Sequence, residues 1–324
     1  MSALIDRLPI DTVDAATWDA APIAADLGEL DEALVHEAAM RARSLPIDVD
    51  DALARFASQS NRAGALLIRN VPVGALPPTP ATPSESTGGK DLATELTLLT
   101  VARRLGEPVG YVPEHGGRIV QNIVPTRRDA DRQTSTSSRS TLMFHTETAF
   151  HPYRPRYLLL LCLRGDPAAE TTMASVHDLF DVLPAATVEA MFEPRYRTAV
   201  DASFLGDRVN ELGPTMALVT GTTDSPTFVF DADLTIGTDP DAQRVVEAVR
   251  DTLERCQRAV VLEPGDLLVI DNNVAVHGRS RFTARFDGKD RWLQRTFVVA
   301  DLAPSAAERR GRVITTEFGA RLPS

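Results

Sequence analysis

Short apolar runs constrain this chain more than any other feature: ALLIR (65–69), IVQNIV (119–124), YLLLLCL (157–163), TFVF (227–230) and LLVID (267–271). Each has the length of a strand and is bounded by Gly, Pro or Asp. They concentrate in the middle and C-terminal parts of the chain. Helical spacing is confined to other segments. Leu92, Leu96, Leu99 and Leu105 recur at helical spacing, as do Val245, Val246, Val249 and Leu253 behind Asp239-Pro240, which reads as a cap and a first-turn proline. The pattern predicts an α+β chain whose strands form a sandwich or barrel with helices packed outside.

Charge and composition then exclude several classes. Against 45 acidic residues stand 34 Lys and Arg, a net charge of −11. Such a field repels nucleic-acid phosphates and anionic membranes. Only Cys162 and Cys256 occur, neither at zinc-finger or redox spacing, so a disulfide framework is excluded and a cytoplasmic home is expected. The N-terminal MSALIDRLPIDTVD has acids where a signal peptide is basic and apolar, and no segment holds eighteen uninterrupted apolar residues. No repeat, GxGxxG, P-loop or GxSxG stands where dinucleotide, nucleotide or serine-hydrolase chemistry would need it.

Three irregular stretches interrupt the pattern, at 71–90, 125–141 and about 204–226. Long structureless segments are often functional. The third has few periodic apolar positions and is expected to be a lid.

Among six histidines, His145 alone has an acid two residues on, in His145-Thr-Glu147. Residues two apart face the same way on an extended segment. With so many acids, about one such pair arises by chance. The weight comes from His277, which follows a strand and a short polar turn in EPGDLLVIDNNVAVHGRSRFTARFDGKDRWLQRTFV (263–298). Two His and one carboxylate make the facial triad typical of non-haem Fe(II), with open positions for substrate and dioxygen. Zinc also accepts this set, usually through a helical HExxH that the present spacing does not allow. Arg291 and Arg295 follow, and an arginine beside such a triad can hold a carboxylate through two parallel hydrogen bonds. Asp231 and Asp233 in FDADL (230–234) read as one face of a strand, an anionic pocket for a guanidinium or ammonium group. His115, His151 and His177 read as ordinary: beside glycines, in a loop, and capping a helix.

The blocks FHTETAFHPYRP (144–155), EPGDLLVIDN (263–272) and HGRSRFTARFDGKDRWLQRTF (277–297) closely resemble the clavaminate synthase-like branch of Fe(II)/2-oxoglutarate oxygenases, which includes L-asparagine and L-arginine β-hydroxylases. The resemblance extends from about Gly64 to VVADL (298–302). It implies a single oxygenase domain over 1–324, with a distorted double-stranded β-helix, or jelly roll, flanked by helices.

Carried onto this chain, the resemblance implies that His145, Glu147 and His277 ligate Fe(II). Arg291 and Thr171 then hold the distal carboxylate of 2-oxoglutarate, with neighbouring Thr172 a one-residue alternative to Thr171. Arg295 grips the α-carboxylate of a free amino acid and Glu114 its α-amino group. Asp231 and Asp233 read its side chain. The implied reaction uses dioxygen and 2-oxoglutarate, yields succinate and CO2, and hydroxylates a side-chain carbon, expected at Cβ, or desaturates it. Glu147 fills the position a halide would need, which disfavours halogenation. The two acids point to L-arginine or a similar cationic amino acid; an L-asparagine 3-hydroxylase is the alternative. A non-catalytic metal-binding jelly roll or a zinc hydrolase is more distant, since neither needs Arg291.

Overall fold

The computed structural model describes residues 9–18, 32–85, 90–205 and 207–319. Part of the N-terminal segment, residues 86–89 of the first irregular stretch and residue 206 of the expected lid lie outside the described residues. In chain order the elements are β1 (Asp11–Asp14), α1 (Glu32–Arg41), α2 (Ile47–Ser58), β2 (Ala65–Arg69), α3 (Ala93–Leu105), β3 (Glu107–Tyr111), β4 (Val120–Ile123), β5 (Leu142–His145), β6 (Tyr157–Arg164) and β7 (Glu170–Ser175). There follow α4 (Val176–Val182), α5 (Ala185–Met191), β8 (Tyr196–Thr198), α6 (Ala202–Leu205), β9 (Val219–Gly221), β10 (Pro226–Phe228), β11 (Thr235–Gly237), α7 (Pro240–Cys256), β12 (Arg258–Val261), β13 (Leu267–Asp271), β14 (Ala275–Arg279), β15 (Trp292–Val299), β16 (Arg309–Arg310) and β17 (Val313–Ile314).

Two sheets organise these strands. The larger runs β1-β2-β13-β6-β15-β3-β17-β16, with β4 also paired to β15. The smaller runs β12-β7-β14-β5. Side-chain alternation shows how the layers stack. On β6, Leu159, Leu161 and Leu163 join a core with Leu34, Leu53 and Leu99 of the helices α1 to α3. The intervening Leu158, Leu160 and Cys162 join a second core with Met173 of β7 and Ala275 of β14. Both faces of β6 are therefore covered, which is why its sequence is an unbroken apolar run. The outer face of the smaller sheet, including Ala174 and Val276, packs on Val246, Val249 and Leu253 of α7. The chain is thus a mixed α and β structure: helices, sheet, sheet, helices.

Several sequence expectations meet corrections. TFVF is a strand only to Phe228; Phe230 instead exchanges bonds with Thr146, whose amide donates to the Phe230 carbonyl at 2.7 Å. Helix α4 is capped by Ser175, with His177 inside its first turn, because a serine hydroxyl accepts the orphan amide that an imidazole in that turn does not reach. The stretch 204–226 is not uniformly irregular. Its second half forms the hairpin β9–β10, anchored in the third core by Leu218, Val219 and Phe228.

No helix among the described residues is long and apolar enough to cross a membrane.

Candidate active site

Strand pairing brings the histidines together. β14 runs antiparallel to β5 with His277 directly opposite His145, and their ring centroids lie 4.3 Å apart. A bulge between His277 and Arg279 bends this edge. Gly278 is required there, since a Cβ would sit 2.5 Å from the Leu142 carbonyl oxygen. Glu147 follows β5, and one ligating atom from each of the three side chains lies within 4.8 Å of the others.

Asn272, one residue past β13, holds Glu147 in place. It accepts from the Glu147 amide at 2.7 Å and donates to the Glu147 carbonyl at 3.1 Å and the Pro155 carbonyl at 2.9 Å. The adjacent Asp271 takes both arms of Arg156, at 2.9 and 3.0 Å, which fixes the turn that Asn272 opens. Beyond Glu147, Thr148 turns the chain with a φ of 51°.

The donor set fits a divalent cation. His145 Nδ1 lies 2.9 Å from the Met143 carbonyl, so it carries the proton and leaves Nε2 as a lone-pair donor. Glu147 Oε2 is buried with no hydrogen-bond partner, 3.4 Å from His277 Nε2 and 4.0 Å from His145 Nε2. Burial pushes the Glu147 carboxyl up, but the Arg295 guanidinium and the neighbouring imidazoles overcome it and hold it at about 2. Burial, aided by His145, pushes His277 down to about 4, leaving a neutral imidazole at pH 7. A carboxylate oxygen with no hydrogen-bond partner, close to the Nε2 atoms of His145 and His277, is a donor set that fits a divalent metal.

A cavity of about 880 Å³ opens on this cluster, and its wall includes each site residue expected from the sequence: Glu114, Thr171, Asp231, Asp233, Arg291 and Arg295. At one end Arg291 Nη2 donates to Thr171 Oγ1 at 3.3 Å. Both are buried, and burial pulls the Arg291 guanidinium below its ordinary value. At the other end Arg295 bonds to Glu114, to Gln121 at 3.0 Å through Nε, and to Glu147 at 3.4 Å. Burial raises the Glu114 carboxyl even against Arg295, and Ser203 of α6 donates to Glu114 Oε1 at 2.9 Å.

The two aspartates are arranged differently from expectation. Residues 231–235 form a turn instead of a continuing strand, because Asp231 Oδ1 captures the amides of Asp233 and Leu234, each at 2.9 Å. Asp231 sits in a bridge to His145 and burial raises its carboxyl, while Asp233 is exposed at the cavity rim.

Sequence reasoning missed Gln121, Asn272, Arg279, Asp201 and Ser203. Arg279 lines the same cavity, and burial, then Arg291, pushes it down to about 10. The one available signal was polar residues inside or just after apolar strand runs, as in IVQNIV and LLVIDN.

Residues 40–297 match the taurine catabolism dioxygenase TauD, TfdA family. The chain belongs to this family, as the sequence blocks implied. It is similar to an L-asparagine oxygenase of Streptomyces coelicolor, 37% identical over 313 residues, covering 94% of this chain and 91% of the relative. It is equally similar, 37% over 290 residues, to an L-lysine 3-hydroxylase of Catenulispora acidiphila, covering 87% and 80%. Among solved structures it superposes on the non-heme iron oxygenase OrfP in complex with Fe, succinate and (3S)-hydroxy-L-Arg with a TM-score of 0.80 at 34% identity, covering 88% and 91% of the two chains. OrfP has also been solved with Fe and alpha-ketoglutaric acid.

Proposed function

We propose that this protein oxidises the side chain of a free cationic L-amino acid, with L-arginine as the leading candidate, at Cβ. The chain is an iron- and 2-oxoglutarate-dependent oxygenase of amino acids within its family. The observation that carries the reading is the cluster of half-buried His145 with buried Glu147 and His277, in which an unpartnered carboxylate oxygen faces two imidazoles. These three residues would hold Fe(II), whose contribution is to activate dioxygen for the oxidative decarboxylation of 2-oxoglutarate.

The protein's own residues do the positioning. Arg291 and Thr171 take the distal carboxylate of 2-oxoglutarate, where a bidentate guanidinium fixes both charge and angle. Arg295 takes the α-carboxylate of the amino acid and Glu114 its ammonium group. Asp231 and Asp233 face the side chain. The segment 204–226 closes as a lid, chiefly through its first part, since Ser203 already reaches Glu114 and Phe204 packs on Phe150 at 5.0 Å between centroids. The two facing sheets and their shared core support a jelly-roll scaffold and one domain over the whole chain.

L-asparagine is the second reading. Asp231 spends one oxygen on its own turn, and one remaining acceptor suits an amide better than a fork of guanidinium donors. Incubation with Fe(II), ascorbate, 2-oxoglutarate and each of the twenty amino acids, following succinate and new product masses, tests both. Consumption of asparagine with arginine untouched would replace the first reading by the second; succinate formation dependent on no amino acid would reject both.

A further inference from the structure

We infer that Arg279 is a specificity-determining residue for the cosubstrate, the second guanidinium of a two-arginine clamp on the distal carboxylate. The inference rests on the placement of that carboxylate at Arg291. Two positions after His277 on β14, Arg279 faces the same side of the sheet, directly opposite Thr171 of β7. Thr171 is the residue whose hydroxyl Arg291 meets. One corner of the cavity therefore holds two guanidinium groups and a hydroxyl.

Neither arginine is neutralised. Arg279 is 4% exposed and Arg291 6% exposed, yet no carboxylate among the described residues lies within ion-pair distance of either. Arg279 donates to the Ser137 carbonyl at 2.7 Å, the Ser137 hydroxyl at 2.8 Å and the Ser140 carbonyl at 3.2 Å, while its buried Nε has no partner. Buried arginines ordinarily carry an acid, because an isolated charge in a low dielectric is costly and two like charges more so. The other buried arginine of this cavity obeys that rule, since Arg295 sits among Glu114 and Glu147. A corner with two positive charges that no ion pair meets, one over the Phe282 ring at 5.0 Å and the other feeling only the non-bonded charge of Asp166, and with an unused donor, suits an anion that brings no cation of its own. The terminal carboxylate of a dicarboxylic 2-oxo acid has that chemistry. Arg279 also ties down the segment 126–141 through Ser137 and Ser140, so an anion held there braces the wall that includes Arg128 and Arg132.

The test is calorimetric binding of 2-oxoglutarate and of 2-oxopentanoate, which has the same length without the distal carboxylate, to metal-free and Mn(II)-loaded protein. Arg279→Gln retains donors towards Ser137 and removes the charge; it should weaken 2-oxoglutarate at least tenfold and leave 2-oxopentanoate within twofold. Arg279→Lys should recover part of the loss. Arg291→Gln is measured in parallel. If Arg291→Gln weakens 2-oxoglutarate and Arg279→Gln does not, this inference falls alone; if neither does, the placement of the carboxylate falls with it. Equal weakening of both ligands by Arg279→Gln, with no recovery in Arg279→Lys, would overturn the inference in favour of a purely structural tie to the 126–141 segment.

Discussion

Replacing Asn272 by Leu is the most informative test of how the metal centre is held. The substitution keeps the number of side-chain heavy atoms, adds methyl bulk, and removes a fully buried amide that makes three hydrogen bonds. It strands the Glu147 amide, the Glu147 carbonyl and the Pro155 carbonyl. A buried polar group left unpaired costs about 1–3 kcal/mol, so even at the low end the three together cost about 3 kcal/mol. Against a total stability of about 5–15 kcal/mol the variant should remain folded at 25 °C but melt at a lower temperature. The sharper consequence is local. Glu147 would lose the bonds that fix its backbone, and loss of partners that orient a metal ligand typically costs about 10–100-fold in metal affinity. Titration with Fe(II) under anaerobic conditions, or with Mn(II), reads this directly, alongside a thermal melt. A lowered melting temperature with metal affinity within twofold of wild type would refute the claim that Asn272 positions Glu147.

Four further outcomes are expected. Replacement of His277 by Ala should abolish amino-acid-dependent succinate formation while the circular dichroism spectrum stays that of a folded protein, because the histidine projects from a pre-formed sheet; retained turnover would reject it as a ligand. Asp231→Asn keeps the turn acceptor and removes the charge, so use of a cationic amino acid should fall at least tenfold, or ~1.4 kcal/mol, whereas Asp233→Ala, at an exposed position, should cost no more than about fivefold; steady-state kinetics with arginine and lysine distinguish them. Hydrogen exchange in residues 202–213 should slow when 2-oxoglutarate and the amino acid are both bound, and equal exchange with and without them counts against a lid. The last concerns acid stability. Burial, with Arg154 adding to it, pushes His151 from 6.5 down to about 3, so above pH 6.5 the group is neutral in both states, and between there and pH 3 only the unfolded chain takes the proton. Stability should fall through that window, by about 2 kcal/mol at pH 5 from this residue, and His151→Asn should flatten a denaturant-midpoint profile there.

How much of this was legible depended on whether one residue or a pattern carried the signal. β2 and β13 coincide with ALLIR and LLVID, and α7 starts at Pro240 behind an Asp239 side chain that accepts from two amides. Period and capping are local, and no tertiary contact overrode them. TFVF ended early because Phe230 turns to meet Thr146, a long-range contact with no local signature. Asp231 and Asp233 were misread for a physical reason. Spacing of two fits one face of a strand and equally fits an aspartate folding its own turn, and only the amides of Asp233 and Leu234 choose between them. Gln121 was hidden in the same way: one of two adjacent polar residues in an apolar run, it shows no partner until the register sets it opposite Arg295.

Arg291, one residue before β15, and Arg295 within it illustrate how little sequence a two-substrate site would require. Arg291, Leu293 and Arg295 alternate with Trp292 and Gln294, and the first set lines the cavity while Trp292 packs in the helical core. Four residues of extended backbone separate the Cα atoms of Arg291 and Arg295 by about 13 Å. The metal cluster lies between them, since Glu147 touches Arg295 and His277 stands two residues from Arg279 on β14. The two ends differ in their company. Arg295 comes with Glu114, so that end offers a cation and an anion side by side, complementary to a zwitterion that presents a carboxylate to one and an ammonium to the other. Arg291 and Arg279 come with no acid, so that end suits an anion alone. A 2-oxo acid at the Arg295 end would bring a second carboxylate against Glu114, and an amino acid at the Arg291 end would bring an ammonium against two guanidinium groups. Each misplacement would set a buried charge against its like, so under the proposed roles the distribution of acids around three arginines would direct the two reactants to opposite sides of the His145, Glu147 and His277 cluster.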